Sequence, residues 1–148
     1  MASVGDLVQR YTELQDRRYS TMLVVTASAA GNLLLRDAAE RTGSKHLDFL
    51  SLASSGQTPV TVGAFMRHHL VAWLKERARE TGGIWVDNAD TIIVTWPDDE
   101  RRAFFMEFLR TESRRDDGSA APIVLVSALA GRFALPEEPR GQGIVVRI

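Results

Sequence analysis

Apolar residues recur along the chain in two rhythms. Between residues 4 and 18, Val4, Leu7, Val8, Tyr11 and Leu14 fall at i, i+3, i+4, i+7 spacing, which predicts an amphipathic helix. The same period predicts helices over 33–40, with Leu34, Leu35 and Ala38 inward, and over 62–80. In the latter, Phe65, Met66, His69, Leu70, Trp73 and Leu74 form a wide stripe, KERARE a charged face, and Gly82-Gly83 the stop. Pro97-Asp98-Asp99-Glu100 reads as the start of another helix, with carboxylates at the positive end of its dipole. Its buried face is Phe104, Phe105, Phe108 and Leu109. Short continuous apolar runs mark buried strands at 22–25, 84–86 (closing on Asp87), 123–126 and 144–148, and HLDFLSL at 46–52 alternates in part. The β-branched stretch Thr91–Trp96 reads as a strand extension or a separate short element.

Strands alternating with helices, the strands apolar on both sides, predict a three-layer α/β sandwich around a mostly parallel five-stranded sheet. The 148 residues make one domain, with no lid and with residues 1–19 as a candidate appendage.

Composition narrows the chemistry. Lys+Arg is 18 against 19 Asp+Glu, so the net charge of −1 gives no support to direct nucleic-acid binding. There is no cysteine, which removes disulfides, thiol catalysis and thiolate metal sites. The sequence has no apolar run of about 18 residues and shows no signal peptide. The expectation is a soluble, cytoplasmic protein that does not enter a membrane. Only Lys45 and Lys75 are lysines.

In open parallel sheets, ligands bind beyond the carboxyl ends of the strands. The segment after the first strand reads Thr26-Ala27-Ser28-Ala29-Ala30-Gly31-Asn32-Leu33. A phosphate-binding loop, G-x-x-x-x-G-K-[ST], occupies the same strand-to-helix position with the same length. Gly31 falls on its second glycine, while Thr26, Asn32 and Leu33 stand where the first glycine, the lysine and the hydroxyl belong. On these residues the chain resembles the P-loop NTPases of the AAA+ group. The later strands extend the resemblance: Ile84-Trp85-Val86 ends in Asp87, the place of a magnesium-binding acid, and Ile123–Val126 ends in Ser127, the place of a polar sensor. Asp87-Asn88-Ala89-Asp90 is similar to a D-N-x-[ED] step in the small P-loop proteins of BREX-type phage-defence systems, which carry a strand-ending glycine near the place of Gly131.

The resemblance implies a nucleotide site at residues 26–33, with ATP and Mg²⁺ as ligands. It implies Asp87, Asn88 and Asp90 as catalytic candidates, Asp87 also as the Mg²⁺ ligand, and a central first strand with the fourth and fifth on either side. Three of its four chemical positions are lost. Asn32 is neutral and too short to bridge phosphates, Leu33 has no oxygen for the metal, and Asn88 cannot take a proton from water. The expectation is a catalytically degenerate subunit acting as a partner or scaffold through protein partners or self-assembly, and the resemblance implies a role in phage defence. An ATPase completed by a partner subunit, and a module that takes no nucleotide and has a flavodoxin-like or receiver-like fold, are the alternatives. Arginines at 114, 115 and 132 are candidates for a contact to a neighbour's phosphate, against the simpler reading of a solvated face.

Other groups have plain explanations. His68 and His69 are adjacent, so a helix sends them to different sides, and His46 is distant in sequence. Ser54-Ser55 has no base at an interpretable spacing. Trp73, Trp85 and Trp96 lie in core patterns. Lys45 precedes the second strand and is expected too far from the loop to replace the missing lysine.

Overall fold

Three strands of this protein, β1 (Thr21–Val25), β3 (Ile84–Asp87) and β4 (Ile123–Ser127), are buried at every position. That is what continuous apolar runs give when both faces of a sheet are covered. The computed structural model describes residues 3–26, 32–49, 51, 66–135 and 142–148. Its remaining strands are β2 (Lys45–Asp48) and β5 (Ile144–Arg147). The helices are α1 (Val4–Leu14), α2 (Asn32–Arg41), α3 (Arg67–Thr81), α4 (Asp90–Ile93) and α5 (Asp98–Leu109), with a 3-10 turn at Leu129–Arg132.

The five strands form one sheet in the order β2-β3-β4-β1-β5, and all four pairings are parallel. β1 lies between β4 and β5, with Leu23 level with Leu125 on one side and Val145 on the other. A flavodoxin-like sheet would run 2-1-3-4-5. From β1 the chain crosses to the far edge at β2 and then returns strand by strand. Right-handed crossovers place the helices of the outward and return journeys on opposite faces. Accordingly α1 and α2 cover one face, α3 and α5 the other.

Alternation along each strand divides the core in two. Leu23, Ile84, Val86, Ile123 and Leu125 point to the larger core, where Leu70, Leu74, Phe104, Phe105 and Phe108 meet them. Phe104 is the hub of its aromatic cluster, 5.5 Å from Trp96 and 5.4 Å from Phe105, ring centre to ring centre. Met22, Val24, Trp85, Val124 and Val126 point to the smaller core beneath α1 and α2. There Trp85 stacks on Tyr11 at 5.5 Å, and the Ser44 hydroxyl donates to the Tyr11 oxygen at 2.6 Å. A Cβ on Gly83 would overlap that tyrosine hydroxyl, so only glycine fits where the chain enters β3. All three tryptophans are core residues, at most 9% exposed.

Several boundaries differ from the sequence expectation. α1 stops at Leu14 rather than continuing to 18, and β2 stops at Asp48 because Phe49 and Ser51 are already helical. Thr91–Trp96 is not a strand: α4 is a single helical turn, and Trp96 plugs the larger core just beyond it. α3 begins at Arg67, capped by the backbone of Met66, whose N–H is taken by the His69 ring at 2.9 Å; residues 62–65 lie outside the described part. It ends as expected, on Gly82 in the left-handed conformation at φ 85°. Pro97 caps α5 from just outside it.

α1, the candidate appendage, begins with a reciprocal cap. The Ser3 hydroxyl accepts from the Asp6 N–H, and the Asp6 carboxylate accepts from the Ser3 N–H. Its Leu7, Tyr11 and Leu14 are buried in the smaller core. Leu14→Ala is therefore expected to lower the free energy of unfolding by about 2–5 kcal/mol in urea titrations, as for any large core truncation. A loss below about 0.5 kcal/mol, the size of an ordinary surface effect, would show that α1 docks only loosely.

Candidate functional site

The strands end together at one edge of the sheet. Thr26 leaves β1, Asp48 ends β2, Asp87 ends β3 and Ser127 ends β4. The Thr26 N–H donates to the Ser127 carbonyl at 3.1 Å, holding the exit of β1 against β4. From here the chain leaves β1 toward the α2 face and leaves β4 toward the opposite face. Divergence of that kind opens a crevice beyond the strand ends. Of the proposed phosphate-binding residues, Thr26 sits at this edge, and Asn32 and Leu33 open α2. Ala27, Ser28, Ala29, Ala30 and Gly31 lie outside the described residues, as do Ser54 and Ser55.

Asp87 and Asp48 are paired in register on neighbouring strands. Between them sits Asn88, the one described non-glycine residue with positive φ, at 63°. Its side-chain N–H donates to Asp48 Oδ1 at 2.9 Å, and its backbone N–H donates to Asp87 Oδ1 at 2.8 Å. Asparagine is among the few residues that adopt this backbone conformation readily. Position 88 thus carries a backbone role and a link to Asp48 besides any role toward a ligand.

Asp87 is only 6% exposed. Burial pushes its carboxyl above the usual carboxylate range; the Asn88 N–H and the nearby His46 oppose this, and the charges of Asp48 and Asp90 add to it. His46, on β2 beside Trp85, is held below the usual imidazole range, first by burial and also by Arg36, against the opposing pull of Asp87 and Asp48. Its Nε2 and the indole Nε1 of Trp85 are both buried without a hydrogen-bond partner among the described residues.

Asp90 and Ser127 also come together. The Ser127 hydroxyl donates to Asp90 Oδ1 at 2.6 Å and accepts from the Ala130 N–H at 3.1 Å. Asp90 Oδ2 accepts from the backbone N–H groups of Ala128, at 2.8 Å, and Leu129, at 3.2 Å. The carboxylate caps the 3-10 turn from across the crevice and ties α4 to the end of β4. Gly131 lies inside that turn rather than at a strand end, and a Cβ there would come within 3.3 Å of Val25.

Lys45 opens β2 at the amino end of this edge strand, away from the crevice. Arg114 and Arg115 precede β4 and also lie at the amino end, next to the antiparallel bridge of Arg114 with Ala120. Arg132 closes the 3-10 turn on the carboxyl side. His68 and His69 are both exposed, and contrary to the expectation of opposite directions their ring centres are 4.1 Å apart. His69 folds back to take the Met66 N–H, which draws it across its neighbour.

Mg²⁺ is commonly held by one or two protein carboxylates, with phosphates and water completing its octahedron. Asp87, which ends β3 at the carboxyl edge of the sheet, would supply one such carboxylate. Among the described residues no three His, Asp or Glu side chains are grouped to hold a metal by themselves. No described helix is long and apolar enough to cross a membrane. Compared with family models, curated proteins and solved structures, the chain matches none.

The sequence singled out Asp87, Asn88, Asp90 and Ser127; His46 was set aside as distant from the other histidines, and Asp48 was passed over. A signal for Asp48 was present: an aspartate three residues before Ser51, whose N–H it accepts at 3.4 Å, is spaced as a helix cap.

Two outcomes follow for the carboxylates. The native state holds the Asp87 proton more tightly than the unfolded chain does. Its contribution to stability therefore falls as pH rises from the ordinary value of 3.8 through the raised native value, and is flat above. Asp87→Asn is expected to raise the urea midpoint at neutral pH and to remove that fall across a pH series. Asp90→Ala leaves the Ser127 hydroxyl and two backbone N–H groups without their acceptor, and is expected to cost about 1–3 kcal/mol in the same assay. An unchanged midpoint would show that water replaces the carboxylate.

Proposed function

We propose that this chain is a catalytically degenerate P-loop ATPase-like subunit, working as a partner or scaffold within a larger assembly. The observation that carries the reading is the strand order. β1 lies between β4 and β5, its exit feeds the candidate cradle at 26–33 into α2, and the acid-ending strand β3 stands beyond β4. This is the arrangement the resemblance requires, and it separates the chain from a flavodoxin-like sheet. Backbone N–H groups at the start of α2 favour an anion. The side chains that would act on a triphosphate are missing: Asn32 and Leu33 replace lysine and hydroxyl, and Asn88 is engaged with Asp48. The reading includes a place in a phage-defence complex, on the strength of the Asp87-Asn88-Ala89-Asp90 step.

Thermal unfolding with millimolar ATP and Mg²⁺, run beside a phosphate-release assay, tests it. Weak binding to the native state alone is expected to raise the midpoint by about 1–3 °C. No phosphate release above background is expected. Asn32→Lys combined with Leu33→Thr is expected to enlarge the shift. No shift in either protein would remove the nucleotide from the reading, and brisk phosphate release by the purified chain would remove the degeneracy.

A further inference from the structure

Two exposed cations without an ion-pair partner among the described residues meet away from the strand ends, beside the outer face of α3. His68, Ala72, Lys75 and Arg79 follow one another at helical spacing on that face. With Val71, Glu76 and Arg114 they line an open groove of about 390 Å³. Arg79 is neutralised inside the structure, donating to Glu76 at 2.6 Å and to Asp116 at 3.2 Å. Lys75 and Arg114 are different. Both are exposed, and neither has an ion-pair partner among the described residues. Glu112, which feels both charges, is taken by Arg18. Arg114 makes only a long contact of 3.4 Å to the Gly118 carbonyl. The groove therefore holds two free cations beside the apolar edge of Val71 and the methyl of Ala72.

We propose that this groove docks an acidic segment of a partner polypeptide, with carboxylates on Lys75 and Arg114 flanking an aliphatic side chain against Val71 and Ala72. Charge complementarity selects the occupant. A nucleic-acid strand is disfavoured because its backbone would continue into a neighbouring groove where the carboxylates of Glu80, Asp116 and Asp117 outnumber the guanidinium groups of Arg79 and Arg115. A short peptide can place its two charges and stop. The inference deepens the partner-subunit half of the function proposed above and does not depend on the nucleotide half. Loss of ATP binding would leave it standing.

The test is fluorescence anisotropy of the full chain with a labelled peptide of two glutamates, a leucine and two glutamates. The matched glutamine peptide and a short single-stranded DNA serve as competing probes. The acidic peptide is expected to bind and the glutamine peptide not to. Affinity is expected to fall as salt rises from about 0.05 to about 0.5 M, as screening shortens the reach of the charges. Lys75→Glu and Arg114→Glu are each expected to weaken binding about tenfold, the size of one lost charge pair at an interface. Both positions are exposed, and an unchanged thermal midpoint confirms the fold of each variant; Lys75→Gln serves if a reversal unfolds the chain. Equal binding of the two peptides, no effect of the variants, or tighter binding of the DNA would each overturn the proposal. So would a change in sedimentation on Lys75→Glu, which would make the occupant a second copy of this chain.

Discussion

β1 is hydrogen-bonded along both edges and covered on both faces, and the rest of the molecule is arranged around it. A central parallel strand cannot be joined to its neighbours by tight turns, because each parallel connection must cross back over the sheet. The crossovers supply the helices, and the helices bury what the strands expose. The same strand decides where chemistry can occur. Its carboxyl end is the point from which the chain diverges to one face while β4 diverges to the other. Thr26, Asp87 and Ser127 are gathered at that edge by strand register rather than by any local motif.

The edge is held by hydrogen bonds that also limit what its residues are free to do. Asp90 is committed to Ser127 and to the backbone of the 3-10 turn. Asn88 holds Asp48 from a left-handed backbone position. Asp87 is deeply buried and, among the described residues, accepts from the N–H of its own neighbour Asn88. In the proposed reading, a scaffold of the right connectivity survives while its reactive groups have been replaced or absorbed into structure. Such a subunit acts through its surface, and the α3 groove, with two cations that have no ion-pair partner among the described residues, is the proposed point of contact.

What the sequence revealed follows the strength of the physical signal. β1, β3 and β4 were legible because strands buried on both faces need unbroken apolar runs; β5 was legible from its β-branched run Ile144–Val146, although this edge strand is only partly buried. α5 was legible from its acidic start and its phenylalanine face. β2 was overextended because HLDFLSL alternates while the Asp48 cap already turns the backbone at Phe49. The turn at α4 was obscure because β-branched Thr91, Ile92 and Ile93 carry strand propensity. Packing overrides it: Ile92 and Ile93 enter the larger core only from a helical turn launched at Asn88 and Asp90. The site was legible in its strand-end residues and opaque in its partnerships. Asp48 and His46 reach Asp87 only through the β2–β3 register, which no local pattern encodes.

In the proposed reading, residues 26–33 are a nucleotide cradle without its reactive side chains. The most direct measurement is an amide-resolved NMR titration of the purified, partner-free chain with ATP and Mg²⁺, with phosphorus spectra recorded alongside. Shifts are expected only at amides of residues 26–33 and of the neighbouring strand ends at 87–90 and 127–128, while the ATP signals stay intact. Shifts centred elsewhere in the molecule, or ATP signals giving way to ADP and phosphate, would contradict the reading.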